Sequence, residues 1–145
     1  MISGKMQAWG LTVLRVVVGI VFLMHGYQKF FKFGFRGVAG MLTHLGIPLP
    51  AFFAIVLMLV EFVGGILLIT GLATRIPAAF LCIDMLVAIF TVHIKNGFFS
   101  PGVEFPLTLL AAAICLAEKE LGGPLAPPPP LDHIGLAGLM KQRPK

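Results

Sequence analysis

The side chains able to do chemistry fall into two groups. His25, Gln28 and Lys29 stand at i, i+3 and i+4 near the end of a long apolar run, a spacing that puts them on one helix face. His93 and Asn96 repeat the i, i+3 spacing near the end of a later run, and Glu104 follows after a short loop. Imidazole titrates near neutrality, so this set could shuttle protons or hydrogen-bond a carbonyl in a pocket open to one side. The plainer alternative is that these residues satisfy loop backbone at a surface. No HxxxH or comparable spacing is present, so no metal site is assigned. The second group, Arg15, Glu61 and Asp84, lies inside apolar runs.

Those runs are what must position the chemistry. Hydrophobic residues make up 58% of the 145, and charged residues 12%, about half the usual share for a soluble domain. Four runs stand out, about 8–28, 49–72, 76–94 and 98–117. Each approaches the ~20 residues that cross a ~30 Å hydrocarbon core. Trp9 and Tyr27, the single Trp and Tyr, flank the first run as an aromatic belt would. The expected fold is all-α: a four-transmembrane-helix bundle in the bilayer. In lipid, a charge at the centre of a helix costs roughly 2.5–3.5 kcal/mol, so Arg15, Glu61 and Asp84 should face the interior and pair, or mark a pathway. Counting from the helix ends puts all three in one half of the membrane. An intramembrane ion pair of Arg15 with Glu61 or Asp84 follows, with one acid left unmatched. Gly64 and Gly65, three and four residues after Glu61, make that face small as well as charged, which favours close helix approach. Asp84 and His93 are nine residues apart, half a turn out of phase on a straight α-helix.

The connections carry their own signals. In "RGVAGMLTHLGIPLP", Val38, Met41, Leu42 and Leu45 fall at i, i+3, i+4 and i+7. That is a short amphipathic helix, expected at the membrane interface between helices 1 and 2 and stopped by Gly46, Pro48 and Pro50. Pro77 suits the first turn of helix 3. The Gly and Pro of "NGFFSPGVEFP" delay helix 4 to about Val103 and shorten it. The first run lacks a small-residue cleavage site and reads as a retained membrane helix. Residues 1–121 form one transmembrane domain on this reading, and 122–145 a Pro-rich, basic tail. With both termini inside, six basic residues lie on the inner side against four outside, or three against four without the tail residues Lys141, Arg143 and Lys145; the full count leans toward cytoplasmic termini. The net charge of +5 has no basic stripe or motif behind it, so lipid rather than nucleic acid is the expected contact. Cys82 and Cys115 lie in apolar runs without a CxxC and read as buried small side chains.

The stretches "LRVVVGIVFLMHGYQKFF", "THLGIPLP", "LVEFVGGILLITGLATR" and "MLVAIFTVHIKNGFF", followed by "EFP", resemble the DoxX family of small bacterial membrane proteins. Arg15, His25, Gly26, Lys29, Glu61, Gly64, Gly65, Gly71, Arg75, His93, Asn96, Gly97 and Glu104 fall on its pattern. The resemblance implies a four-helix protein of the bacterial inner membrane. It also implies kinship with the DoxD-type subunit of a thiosulfate:quinone oxidoreductase and with proteins that work beside redox enzymes. Two features depart from the pattern: Asp84 stands where an apolar or small residue is usual, and the proline run replaces a short glycine-containing tail.

Three functions remain open on sequence. One is a membrane subunit of a quinone-linked oxidoreductase, with His25 and His93 binding the quinone and Glu61 moving a proton. No haem, flavin or iron–sulfur motif is present, so a redox-enzyme partner or mobile quinone would carry the electrons. Another is a small-solute transporter acting as a homo-oligomer. The third is an anchor or assembly factor whose polar residues only fix packing.

Overall fold

The computed structural model describes residues 4–99 and 101–119, and the expected Pro-rich tail lies outside the described residues. The described residues are helical, with no strand among them. Helix α1 spans Gly4–Gln28, and a π-helical turn at Lys29–Phe33 joins it to α2, Gly34–His44. Helix α3 spans Pro50–Thr70. Helix α4 spans Arg75–Ala88 and continues through a second π turn, Ile89–His93, into a short 3₁₀ turn at Ile94–Asn96. Helix α5 spans Glu104–Lys119.

Three helical stretches are long and apolar enough to cross a membrane: Met6–His44, Pro50–Thr70 and Arg75–Asn96. The fourth expected crossing falls on α5, 16 residues long as described, or about 24 Å at 1.5 Å per residue. Local signals explain most boundaries. Pro50 occupies the first turn of α3, and Gly71 ends it in the left-handed conformation at φ 78°, where a side chain would be strained. Pro77 lies in the first turn of α4, where a missing N–H costs no helical hydrogen bond. Gly46 follows α2 at φ 73°. Of the amphipathic stripe on α2, Val38 and Leu42 are buried, in a small cluster with Ala54 and Met58 of α3.

The most extensive packing is between α1 and α3. A Cβ on Gly26 would lie 2.5 Å from the Phe62 backbone nitrogen, and one on Gly65 2.5 Å from that of Leu23. A Cβ on Gly19 would lie 2.9 Å from the Gly65 carbonyl oxygen. The two backbones therefore touch along this seam. Gly64 faces the other way, toward Leu81 and Pro77 of α4, with its nearest neighbour at 3.6 Å. The main core joins Val18 and Phe22 of α1, Leu68 of α3, Leu81 and Met85 of α4, and Leu109 and Leu116 of α5.

This asymmetry gives a direct test. Gly26→Ala and Gly65→Ala should each destabilise the protein by about 1–3 kcal/mol, the usual cost of overpacking, while Gly64→Ala should stay close to wild type. Thermal unfolding in detergent measures it. Equal effects at positions 64 and 65 would contradict the seam.

Candidate functional site

The backbone contacts fix how α1 and α3 align. Leu23 lies opposite Gly65, Gly26 opposite Phe62 and Arg15 opposite Gly71. Along this antiparallel register Glu61 is level with the last turn of α1, where Lys29 begins the π turn. Lys29 Nζ donates to Glu61 Oε2 at 2.5 Å. The pair is deep, with the Glu61 side chain 3% exposed and that of Lys29 14%.

The expected pairing of Arg15 with Glu61 or Asp84 is not formed. Arg15 packs its guanidinium against Gly71, ten residues or about 15 Å along α3 from Glu61. Its Nε is buried without a hydrogen-bond partner. Counting from helix ends misplaced it because the first turns of α1 overhang the end of α3, so Trp9 is not level with Gly71. The ion pair among the described residues is Lys29–Glu61.

Asp84 lies on α4 with its carboxyl close enough to that of Glu61 for a hydrogen bond and within electrostatic reach of Lys29, and its Oδ2 is buried without a donor. Both histidines are held by backbone. His25 Nδ1 donates to the Val21 carbonyl at 3.1 Å, and its ring stacks on Phe105 with centroids 6.0 Å apart. His93 Nδ1 donates to the Pro101 carbonyl at 2.8 Å. A carbonyl oxygen can only accept, so each Nδ1 carries a proton and each Nε2 is left as the open ring nitrogen.

These groups share one cavity of about 890 Å³. His25, Gln28, Lys29, Glu61, Asp84 and His93 all line it, among mostly apolar side chains of α2, α3 and α4. The two polar layers inferred from sequence therefore merge: Glu61 and Asp84 join the histidine layer, and Arg15 alone stays near the far end. Asp84 and His93 share the cavity although they are half a turn out of phase on a straight α-helix. The π turn at Ile89–His93 lies between them, and its i→i+5 bonding advances each residue less around the axis than an α-helix does. Asn96 and Glu104 do not line the cavity. Asn96 is exposed and its Nδ2 donates weakly to the Val92 carbonyl at 3.4 Å. Glu104 opens α5, and its backbone nitrogen donates to the Phe98 carbonyl at 2.9 Å, folding the preceding loop back on itself. Among the described residues no group of three His, Cys, Asp or Glu could hold a metal ion.

Spacing places Lys29 on the face of His25 and Gln28 but does not reveal its carboxylate partner. The glycines set the register that brings positions 29 and 61 together, with Gly26 against Phe62 and Gly65 against Leu23, and the sequence does not say which residues they face.

Fold and site define a class first: a helical membrane protein with a histidine-lined, charged cavity among its spans. The DoxX family model matches residues 10–94, and the chain belongs to that family. It is 39% identical over 109 residues to "Putative oxidoreductase CatD" of Bacillus subtilis, covering 74% of this chain and 77% of that one. It is 42% identical over 82 residues to "Uncharacterized membrane protein Rv3486" of Mycobacterium tuberculosis, covering 57% of this chain and 50% of that one. It is 34% identical over 73 residues to "Inner membrane protein YphA" of Escherichia coli, covering 50% of each chain. No solved structure matches it significantly.

The pairing can be checked by coupling. Lys29→Met leaves Glu61 buried without its cation and should cost about 3 kcal/mol, much of it regained in the double variant Lys29→Met, Glu61→Leu. Arg15→Met and Glu61→Gln should instead add within about 0.5 kcal/mol, as separated sites do. Equilibrium unfolding in mixed micelles reads both cycles. Coupling of Arg15 to Glu61, with none for Lys29, would reverse the assignment.

Proposed function

We propose that this protein is an integral subunit of, or accessory to, a quinone-linked oxidoreductase or thiol-redox system of the bacterial cytoplasmic membrane, with the cavity as its ligand site. The observation that carries the reading is the pair of imidazoles. Each is pinned through Nδ1 to a backbone carbonyl, leaving Nε2 as the open nitrogen, in the wall of a cavity that also holds Lys29, Glu61 and Asp84. An Nε2 hydrogen-bonds a quinone carbonyl when protonated and a quinol hydroxyl when neutral. Reduction of a quinone takes up two electrons and two protons. The electrons come from a redox partner subunit or a soluble reductant. Glu61 and Asp84, in the cavity wall beside the histidines, are the carboxyls placed to pass the protons. The description of the Bacillus subtilis relative as a putative oxidoreductase agrees with this reading.

In this reading α5 crosses as the fourth span, α2 lies at the interface, and both termini face the cytoplasm. A pocket of this size is within the range of small-molecule sites, about 300–1,000 Å³. An apolar wall with a few convergent polar groups suits a ligand that dissolves in lipid.

Quinone-dependent electron transfer in membranes from an expression host that carries the protein tests the reading. His25→Ala and His93→Ala should each lower turnover at least about tenfold, with membrane insertion unchanged. Wild-type turnover in both variants would remove the histidines from the function.

A further inference from the structure

The cavity opens sideways. On α4 its lining residues Phe80, Ile83 and Val87 are themselves exposed on the outside of the bundle, Ile83 at 58%. On the opposite wall Met41 of α2 and Phe53 of α3 are also exposed. Helix α2 packs on α3, and α4 packs on α3 and α5, so the mouth lies over α3 with α2 and α4 as its sides. The apolar mouth leads to a charged floor at Lys29 and Glu61.

The floor is not satisfied. Glu61 has the Lys29 ammonium. Asp84 Oδ2 is buried, lies in a cavity-lining residue and has no donor. A buried acceptor without a partner is rare in a folded protein and calls for an explanation.

We propose that the cavity takes an amphiphile dissolved in the bilayer, admitted sideways between α2 and α4, whose hydroxyl or phenol head donates a hydrogen bond to Asp84 Oδ2. This rests on reading the cavity as a ligand site and adds the route, the head group and the residue that selects it. The chain of the amphiphile lies along Phe80, Ile83 and Val87, at i, i+3 and i+7 on one face of α4. A head that can only accept hydrogen bonds leaves Oδ2 unpaired and is selected against.

The test uses the full-length protein in lipid nanodiscs and a diazirine-tagged dodecylphenol, with labelled residues mapped by mass spectrometry. Untagged 4-dodecylphenol and its O-methyl ether serve as competitors. Labelling should fall on peptides containing Met41, Phe80 or Ile83. The phenol should compete about tenfold better than the ether, the value of one hydrogen bond. Asp84→Leu should abolish that preference, and Asp84→Asn, which keeps an acceptor oxygen, should retain part of it. Equal competition by phenol and ether on the wild type, or an unchanged preference in Asp84→Leu, would overturn the assignment of Asp84. Labelling elsewhere would overturn the site. So would efficient disulfide formation between two copies carrying Ile83→Cys, because a second copy would then cover the mouth. Equal competition by phenol and ether on the wild type, with quinone turnover sensitive to the histidine variants, defeats this inference alone. Absence of cavity labelling together with wild-type turnover in the histidine variants defeats the reading beneath it.

Discussion

The contact on which the structure depends is the one between the backbones of α1 and α3. In lipid the hydrophobic effect gives helices no reason to associate, so close packing and interhelical polar contacts must hold them. Here Gly19, Gly26 and Gly65 each leave out the Cβ that would strike the facing backbone, and main chain meets main chain. Such a seam tolerates no slip. A shift of one residue along it would drive a side chain into a backbone. The register that results sets Lys29 opposite Glu61 and holds Arg15 about 15 Å away. The ion pair is thus a consequence of the glycines as much as of the charges.

Once placed, the pair is forced to stay formed. A carboxylate this buried is stable only with a partner, and removal of either member leaves an uncompensated charge in a medium that cannot solvate it. Lys29 reaches Glu61 from the start of a π turn, and the second π turn lies between Asp84 and His93. Both π turns contribute residues to the cavity wall. Inserted π turns are common at functional sites, because they re-aim side chains that a regular helix would scatter. In this protein they gather polar groups from α1 and α4 at one level.

Much of the helix pattern was legible in the sequence, and for local reasons. Pro50, Gly71, Pro77 and Gly46 act within a turn of themselves, and the structure uses each as a boundary. The late start of the last helix followed likewise from the Gly and Pro before Glu104. The relations between helices were not legible by counting from helix ends. That count assumes level ends, and α1 overhangs α3. No local signal announces a π turn either, since neither KFFKF at Lys29–Phe33 nor IFTVH at Ile89–His93 holds a Gly or Pro to mark one. The half-turn mismatch between Asp84 and His93 is sound for a straight helix and fails only because α4 is not regular.

Asp84 shows how one residue sets the chemistry of a cavity. Lys29 and Glu61 by themselves make a set in which a single carboxylate and a single ammonium cancel. A second carboxyl at position 84 breaks that balance. It places an acceptor with no donor in the wall of the cavity, beside a pair that cannot turn away to meet it, because Glu61 is held by Lys29 and Lys29 by the helix register. Two relaxations are open to the protein. A proton can be held between the two acids, or a donor can arrive from outside. Both make the site responsive to its surroundings in a way the bare Lys29–Glu61 pair is not. An apolar residue at 84 would leave a cavity of similar walls and a silent floor. The responsiveness of the site therefore resides in Asp84, which the register of the helices holds buried beside the Lys29–Glu61 pair.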